Sequence, residues 1–330
     1  EREAEETVIS ILPWFHIYGQ TVCLNYPIAK VATMVVFPRF DLEGALKAVE
    51  KYKANQFPGV PTLYVQIINS PLAKKYNLRS LEACISGAAP LPVEVLKKFE
   101  ELTGARLREG YGLTETSPVT HVNPIYGKYK PGSIGVPVPN TIAAIADISE
   151  NKLLPVGEVG ELVISGPQVM KGYYNRPEEN EQVFFELGGY RWLRTGDIAK
   201  MDGEGYFYIV DRKKDLIKYK GYSVYPREVE EVLYQHPAVK EAAVIGVPDP
   251  EVGEQIKAFI ALKEEYKGKV SEEDIKQWAK ERLAAYKYPR IVEFRDELPK
   301  SAVGKILRRV LREEEIRKYV KDIIREGPLS

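Results

Sequence analysis

Cysteine, net charge and long apolar runs are all scarce in this sequence. Its 330 residues include two cysteines, Cys23 and Cys84, without metal-ligand spacing, so we expect reduced, passive core thiols in an intracellular protein. Lysine plus arginine and aspartate plus glutamate number 47 each, so the overall charge favours neither nucleic acid nor an anionic membrane as a partner. The most apolar stretch, Val31 to Phe37, is far shorter than the roughly 20 residues of a transmembrane helix. The first residues are acidic, unlike a secretory signal, and we predict a cytoplasmic protein without a transmembrane segment.

Length and composition predict a multidomain protein of the α/β and α+β classes. Hydrophobic residues make up 44% of the chain, which is long enough for two or more domains. In residues 1–129, β-rich segments alternate with helical ones. Asp41 can cap one helix, Glu82 to Ser86 has the pattern of a short buried strand, and Pro92 can begin another helix. This alternation predicts an αβ-layered subdomain.

Two further regions follow, with a change of sequence texture at each boundary. From 130 to 210, short β segments separated by glycine and proline indicate a small β-barrel subdomain. A charged linker at 211–216 marks a domain boundary. Residues 217–330 predict a smaller α+β domain, with a capping-box helix from Ser271 and a final helix from about Lys305 to Ile324.

The run from Glu109 to Glu115 combines the parts of a nucleotide site. It reads Glu-Gly-Tyr-Gly-Leu-Thr-Glu, and its two glycines let the backbone approach a ligand closely. Tyr111 can stack on a base, Thr114 can donate to a phosphate, and Glu115 can hold the Mg²⁺ that accompanies it. An ordinary strand-to-loop turn with an exposed glutamate is the alternative, and the motif alone does not decide between them.

Three later residues are candidates to complete such a site. Asp197 follows a glycine turn and can accept both hydroxyls of a ribose, although a plain turn residue has the same pattern. Arg212 offers a planar fork of donors for ribose oxygens or phosphate, and its alternative is an ordinary surface cation. Lys305 follows Gly304, so its ammonium group comes next to a conformationally permissive step of the backbone. A surface lysine is the alternative there.

Taken in order, these motifs resemble the AMP-forming adenylating superfamily, which includes acyl-CoA synthetases, luciferases and amino-acid-activating domains. The resemblance covers essentially the whole chain. Within the superfamily the sequence is most similar to medium- and long-chain fatty acyl-CoA ligases, through Leu12–Gly19, Asn175–Glu179 and Tyr225–Leu233. Smaller motifs at Ser86–Leu91 and Lys218–Tyr222 fit the same superfamily.

The resemblance implies a role for each part of the site. The residues it assigns to nucleotide binding are Gly87, Ala88, Ala89, Glu109, Gly110, Tyr111, Gly112, Thr114, Asp197, Arg212 and Lys305. Within this set, Gly87–Ala89 and Tyr111 would frame the adenine, while Asp197 and Arg212 would hold the ribose. Thr114 would touch the α-phosphate and is counted among the catalytic residues.

The implied reaction has two steps at one carbonyl carbon. A fatty carboxylate would attack the α-phosphorus of ATP, while Lys305 and a Mg²⁺ ion on Glu115 stabilise charge on the phosphate oxygens and pyrophosphate leaves. Coenzyme A would then attack the acyl-adenylate and release AMP. In the family the C-terminal domain changes pose between the steps, which would make Lys214 the hinge. Lys218 and Gly221 would line the coenzyme A channel, with glycine required because no side chain fits there. A simple β-turn glycine is the alternative for Gly221.

His16 bears on the choice of acid substrate. Amino-acid-activating relatives usually have an aspartate after the phenylalanine of this motif, whereas Phe15 is followed here by His16, so we predict a carboxylic acid without an α-amino group. We count His16 as catalytic, near the substrate carboxylate, with a satisfied structural histidine as the alternative. An aryl-acid or luciferin-like CoA ligase is the second enzyme hypothesis, because Ile217–Tyr222 resembles plant aryl ligases and luciferases.

One family element has no match in the sequence. Family members carry, upstream of the His16 motif, a Gly/Ser/Thr-rich loop ending in Pro-Lys-Gly, whose backbone N–H groups bind the β- and γ-phosphates. We therefore interpret the chain as the C-terminal part of a longer enzyme, with little activity alone and an exposed apolar face. A non-catalytic nucleotide-binding fragment is the third hypothesis. A homodimer and a peripheral membrane location for a lipid substrate are left open.

Overall fold

The structure is a computed structural model of the chain, and it describes residues 4–89, 91–301 and 305–326. Pro90 and Ala302–Gly304, which belong to two of the sequence motifs, lie outside the described residues. The chain divides into two compact units. The first contains residues 1–195 and 199–209, and the second contains residues 196–198 and 210–330.

The first unit holds most of the strands. They are β1 (Thr7–Ser10), β2 (Thr33–Val36), β3 (Ala83–Ser86), β4 (Arg106–Gly112), β5 (Val119–Val122), β6 (Val136–Pro137), β7 (Ile142–Ala146), β8 (Val159–Ser165), β9 (Phe184–Leu187), β10 (Tyr190–Met201) and β11 (Phe207–Arg212). The helices are α1 (Ile17–Gly19), α2 (Tyr26–Ala29), α3 (Leu42–Tyr52), α4 (Pro61–Asn69), α5 (Val93–Thr103) and α6 (Pro177–Val183). Residues 196–198 of β10 and 210–212 of β11 are grouped with the second unit.

Helices and parallel strands alternate at the start of the first unit, as the sequence predicts. Strands β1 and β2 are parallel, and so are β3 and β4. Helix α3 begins where the Asp41 side chain accepts a hydrogen bond from the Gly44 N–H at 3.1 Å, which satisfies one of the otherwise unpaired donors of the first turn. Apolar residues of α3, α4 and α5 pack with those of β1, β3 and β4 in one buried cluster. The predicted mixed α/β fold class is confirmed.

The middle of the chain is rich in antiparallel strands. Strands β11, β10, β8 and β7 follow one another in a sheet, and β9 pairs with β10. A second sheet has the order β3, β4, β5, β6, in which β5 is antiparallel to both of its neighbours. These sheets account for the β-rich texture of residues 130–210. The subdomain boundary at 129/130 stays a prediction.

The second unit is an α+β domain. Its elements are β12 (Ile217–Tyr219), β13 (Tyr222–Val224), α7 (Pro226–Tyr234), β14 (Val239–Asp249), β15 (Gly253–Leu262), α8 (Glu272–Arg282), β16 (Ile291–Phe294) and α9 (Arg308–Glu326). The sheet order is β13, β12, β15, β14, and β16 runs parallel to β15. Ser271 and Asp274 form both bonds of the predicted capping box at the start of α8.

The final helix begins three residues later than the sequence predicts. Ser301 N donates to Lys305 O at 2.8 Å, and Leu307 N donates to Pro299 O at 2.8 Å. These backbone bonds hold Lys305 in a bridged loop, so the regular pattern of α9 starts only at Arg308. Lys305 therefore lies on the loop that precedes the helix.

Burial bears on two other sequence predictions. Cys23 and Cys84 are both buried with free thiols, and burial raises the pKa of Cys84 to about 12, as expected for passive core residues. Several large apolar side chains near the start of the chain are exposed, namely Trp14, Phe15, Ile28, Val31 and Val36. That these side chains form one apolar face stays a prediction. Every helix within the described ranges is too short or too polar to span a lipid bilayer.

Candidate active site

The Gly87–Ala89 loop and the Glu109–Glu115 run lie side by side in the first unit. Strands β3 and β4 are parallel, with Ser86 opposite Glu109 in the register. The two segments therefore lie at neighbouring carboxyl ends of the strands, which is where open α/β sheets commonly bind ligands. The structure thus brings together the two predicted parts of an adenine pocket.

The loop at Gly87 packs directly against the ring of Tyr18. A Cβ atom at Gly87 would lie 3.0 Å from the Tyr18 ring, so a larger residue would displace either the loop or the ring. The ring is fixed, because the Tyr18 hydroxyl donates to the carbonyl oxygens of Ile85 at 2.8 Å and Gly59 at 3.3 Å. Ala88 follows with a φ of +66°, a left-handed conformation that is uncommon for alanine. Tyr18 is a structural support for this loop.

Tyr111 is held by a buried aromatic group of the neighbouring strand. It lies opposite His121 in the register of β4 and β5, and the two ring centroids are 6.0 Å apart. His121 is fully buried, packs at 4.7 Å against Phe207, and places its Nδ1 2.9 Å from Thr120 Oγ1. Burial lowers the pKa of His121 to about 3, so the imidazole is neutral near pH 7. Tyr111 itself is half-buried and keeps part of its ring accessible.

The turn after β4 requires glycine at position 112. A Cβ atom at Gly112 would lie 1.9 Å from the carbonyl oxygen of Pro118. The buried Thr116 donates to the same oxygen at 2.6 Å and closes the turn. Thr114 and Glu115 occupy this 3₁₀ turn, where Thr114 is exposed and Glu115 is half-buried. The side chains predicted to contact the α-phosphate and Mg²⁺ therefore belong to one compact turn.

Glu115 is fixed through both its main chain and its side chain. The Tyr173 hydroxyl donates to Glu115 Oε1 at 2.8 Å, and the Met170 N–H donates to the Glu115 carbonyl at 2.8 Å. Burial, and after it the hydrogen bond to the charged Glu115, raise the pKa of Tyr173 to about 12, so the phenol keeps its proton near pH 7. Sequence reasoning identified Glu115 but missed Tyr173.

His16 has a structural role in the first unit. It precedes α1 as the N-cap residue, and its Nδ1 accepts a hydrogen bond from the Tyr18 N–H at 3.2 Å. This bond is what the structural alternative for His16 expects. The side chain is half-buried, and the adjacent Phe15 is 85% exposed. A catalytic role for His16 stays a prediction.

Asp197 and Arg212 face each other in the second unit. Asp197 follows Gly196, whose φ is +73°, and its carboxylate is nearly buried. Asp197 Oδ1 lies 3.4 Å from Arg212 Nε. A carboxylate next to a guanidinium offers acceptors and donors together, which suits the vicinal hydroxyls of a sugar. The sequence placed both residues on one ribose, and the structure brings them together.

Lys305 lies close enough to this pair for their charges to affect it. The pKa of Lys305 is lowered to about 8, chiefly by burial and next by the charge of Arg212, while the charge of Asp197 partly opposes this change. The backbone of the lysine is held from Ser301, whose Oγ accepts from Lys305 N at 3.2 Å. Lys305, Asp197 and Arg212 therefore form one electrostatic group on the second unit.

A half-buried arginine, Arg308, joins the segment after Lys305 to the linker. Arg308 Nη1 lies 3.3 Å from Asp211 Oδ1 and 3.3 Å from Asp215 Oδ2, and Arg308 Nε lies 2.8 Å from Glu230 Oε1. Burial alone would lower the pKa of Arg308, but these carboxylates outweigh burial and raise it above its ordinary value. The linker and the start of α9 are thus joined by charge-assisted hydrogen bonds within one unit.

The proposed hinge and channel residues are exposed. Lys214 lies in the 3₁₀ turn Lys213–Asp215, and its carbonyl accepts from Arg312 Nη1 at 3.4 Å. Lys218 donates from Nζ to Ser223 Oγ at 2.7 Å. A Cβ atom at Gly221 would meet no described atom within 4 Å, so the crowding expected from the sequence is not seen. Its φ of +82° in the β12–β13 turn is the reason for glycine here, and the channel roles stay predictions.

Sequence reasoning missed four residues that support the candidates. They are His121, Tyr173, Arg308 and Asn180, whose side-chain amide bonds the main chain of Tyr173. His121 could have been found from strand pairing, because it falls on the strand antiparallel to the Tyr111 strand. Arg308 had a weaker signal, three residues after Lys305 in a region of many basic residues. Tyr173 and Asn180 follow the β8 segment with no pattern that points to Glu115.

Comparison with known proteins identifies the class. Residues 1–174 match the AMP-binding enzyme family, and residues 228–305 match the AMP-binding enzyme C-terminal domain. The chain therefore belongs to the AMP-binding enzyme family. The superfamily resemblance read from the sequence motifs is confirmed.

Individual relatives are fatty acid ligases. The chain is 52% identical over 315 residues to a long-chain-fatty-acid–CoA ligase of Bacillus subtilis, and 43% identical over 312 residues to one of Escherichia coli O6:H1. These alignments cover 95% and 94% of this chain but 55% and 54% of the relatives, so the chain spans about half the length of the curated relatives it matches. The crystal structure of ATP-bound MatB from Rhodopseudomonas palustris is similar with a TM-score of 0.87 and 33% identity, over 95% of this chain and 61% of that one.

Proposed function

We propose that the protein acts in a fatty acid–CoA ligase, which activates a long-chain fatty acid with ATP and transfers the acyl group to coenzyme A. The observation that carries this proposal is the group formed by Lys305, Asp197 and Arg212, because it joins a cation to a pair suited to ribose. The long-chain acid is inferred from the names of the relatives at 52% and 43% identity. Those names favour a fatty acid over the aryl-acid and non-catalytic hypotheses.

In the first step, the acid carboxylate attacks the α-phosphorus of ATP, and pyrophosphate leaves as the acyl-adenylate forms. Tyr111 and the Gly87–Ala89 loop would hold the adenine, and Asp197 with Arg212 would hold the ribose. Charge builds up on the oxygens around the phosphorus during the attack. The Lys305 ammonium group would stabilise that charge, and the Thr114 hydroxyl would donate to an α-phosphate oxygen.

Glu115 has the chemistry of a Mg²⁺ ligand in this step. Mg²⁺ with ATP is usually bound through one or two carboxylates together with phosphate oxygens and water. Among the residues that the structure describes, no three acidic, histidine or cysteine side chains gather as a metal cage would. A single, half-buried carboxylate held by Tyr173 fits that pattern. The cation would supply positive charge to the phosphates, and Glu115 would orient it through Oε2.

In the second step, the thiol of coenzyme A attacks the acyl carbonyl, a carbon–sulfur bond forms, and AMP leaves. Lys305 has no role in this step and would have to withdraw. We propose Lys214, in the exposed turn near the boundary of the two units, as the hinge for that movement. Lys218 and Gly221 would then line the path of the thiol, and His16 would lie near the acyl carboxylate.

The proposal is tested by a substrate comparison with the full natural protein. AMP release is measured with ATP, Mg²⁺ and coenzyme A, using a long-chain saturated fatty acid, a medium-chain acid and 4-hydroxycinnamic acid. We expect AMP and an acyl-CoA with the long-chain acid and little product with the aromatic acid. Preference for the aromatic acid would favour the aryl-acid ligase, and AMP binding without any thioester from any acid would favour a non-catalytic protein.

A further inference from the structure

Tyr173 reaches Glu115 across 58 positions of the sequence. Its hydroxyl donates to Glu115 Oε1 at 2.8 Å, and neither side chain is deeply buried. The hydroxyl of an exposed tyrosine usually bonds water. Tyr173 instead bonds one carboxylate oxygen, because its backbone is held in place by other residues.

The side-chain amide of Asn180 forms hydrogen bonds with both the N–H and the carbonyl of Tyr173. Asn180 Oδ1 accepts from Tyr173 N at 2.7 Å, and Asn180 Nδ2 donates to Tyr173 O at 3.0 Å. The residue before the tyrosine is Gly172, with a φ of +151°, and a Cβ atom there would lie 2.9 Å from Asn180 Oδ1. Glycine is thus the residue that lets the asparagine approach. The tyrosine is held at its main chain by a side chain of α6.

The segment leading to Tyr173 is anchored a second time, alongside Glu115. Met170 N donates to Glu115 O at 2.8 Å. From β10, Arg191 donates to the carbonyls of Met170 at 3.3 Å and Lys171 at 2.9 Å. These bonds fix the distance between the tyrosine segment and the turn that carries Glu115. A hydroxyl placed so firmly restricts the rotation of the carboxylate it bonds.

We propose that Tyr173 is a positioning residue for Glu115. Its hydroxyl holds Oε1 of the carboxylate, so that Oε2 would face the metal-bound triphosphate. The inference rests on the proposed function and adds the residue that orients the metal ligand. A carboxylate that rotates freely must lose that freedom when it binds a cation, whereas a carboxylate already held has less to lose. Hydrogen-bond partners of metal ligands typically change metal affinity by about 10- to 100-fold.

The test compares Tyr173→Phe with Tyr174→Phe in the full natural protein. Both changes remove one phenolic hydroxyl, and Tyr174 is 90% exposed, which makes it a matched control. Mn²⁺ affinity is measured by electron paramagnetic resonance with a non-hydrolysable ATP analogue, and the Mg²⁺ concentration for half-maximal ATP–pyrophosphate exchange is measured separately. For Tyr173→Phe we expect the Mn²⁺ dissociation constant and the Mg²⁺ concentration for half-maximal exchange each to rise about tenfold, with the rate at saturating Mg²⁺ largely kept. Tyr174→Phe is expected to leave both values unchanged.

Glu115→Gln separates a failure of this inference from a failure of the proposed function. If Glu115→Gln leaves the Mn²⁺ affinity unchanged, Glu115 is not the metal ligand and that part of the proposed function is wrong. If Glu115→Gln weakens Mn²⁺ binding but Tyr173→Phe does not, only the positioning role is overturned. A further loss from Tyr173→Phe in the Glu115→Gln background would also overturn it, because the hydroxyl would then act independently of the carboxylate. A lower melting temperature with unchanged metal affinity would indicate a merely structural bond.

Discussion

His121 should make the first unit less stable as the pH falls below 6.5. Burial holds its pKa at about 3 in the folded protein, against 6.5 ordinarily. Its Nε2 has no hydrogen-bond partner among the described residues, so no neighbouring acceptor offsets the cost of charging it. The unfolded chain gains a proton as the pH falls below 6.5, and the folded chain gains one only near pH 3. The stabilising contribution is therefore complete above pH 6.5 and is lost as the pH falls from 6.5 towards 3.

The size of this effect follows from the two pKa values. Below pH 6.5, each unit by which the pH falls lowers the free energy of unfolding by about 1.4 kcal/mol through this one group. Between pH 7 and pH 5 the loss is about 2 kcal/mol. Domains are commonly stable by only about 5–15 kcal/mol, so a loss of this size is measurable in a urea titration.

The assay isolates His121 by comparison with a variant that does not titrate. Urea unfolding is measured at pH 7 and pH 5 for the chain and for His121→Gln, both carrying Trp278→Phe. Fluorescence then reports on Trp14 and Trp192, which both belong to the first unit. Carboxylates contribute equally to both proteins, so the difference between their pH effects belongs to His121. We expect the histidine protein to lose about 2 kcal/mol more than the variant.

Equal losses of stability in the two proteins between pH 7 and pH 5 would contradict this role of His121. A second measurement checks the cause directly. The chain has three histidines, so their ring signals can be resolved by NMR after selective labelling. The signal that disappears in His121→Gln should not titrate between pH 8 and pH 5. A midpoint near pH 6.5 for that signal would show that His121 is not buried as described.

Two further predictions concern the second unit. Arg308→Met leaves Asp211 and Glu230 without their cation and leaves Asp215 with Arg312 alone, so it should destabilise this unit by about 3–5 kcal/mol in urea unfolding followed by Trp278. Arg309→Met changes an arginine whose side chain is 80% exposed and should cost less than about 0.5 kcal/mol. Equal losses would contradict the role given to Arg308. Gly221→Asn keeps a left-handed turn but adds a side chain, so it should slow thioester formation from supplied acyl-adenylate and spare pyrophosphate exchange. Gly268→Asn is the control, because Gly268 also has a positive φ, +74°, and an added Cβ atom would meet no described atom within 4 Å. Slowed pyrophosphate exchange in Gly221→Asn would contradict the channel role of Gly221.

Local chemistry made the secondary structure and several site residues predictable. The capping box at Ser271 and the cap at Asp41 each depend on a run of only four consecutive residues, and the structure contains both. Asp197 and Arg212 were paired by their chemistry and by the superfamily resemblance, and the structure places them 3.4 Å apart. The late start of α9 was missed, because the helical pattern continues back to Lys305 while backbone bonds from Pro299 to Ser301 hold that residue in a loop.

Support from distant parts of the chain could not be predicted from one sequence. Tyr173 bonds a residue 58 positions away, and Arg308 bonds Asp211 across 97 positions. Such contacts depend on how strands and helices are arranged in space, and no local pattern encodes them. Gly221 has a φ of +82°, which by itself favours glycine as the β-turn alternative expects, and its place in the coenzyme A channel stays a prediction.

The central claim is that Lys305 acts in adenylate formation and not in thioester formation. The most direct measurement is to follow both half-reactions in the full natural protein with Lys305→Ala, using Lys300→Ala in the same loop as the control. We expect ATP–pyrophosphate exchange to fall by about 10²–10³-fold, because a charge aimed at the reacting phosphate is lost, while thioester formation from supplied acyl-adenylate stays close to that of the unchanged protein. Equal loss in both half-reactions, or exchange that persists without the lysine, would contradict the account.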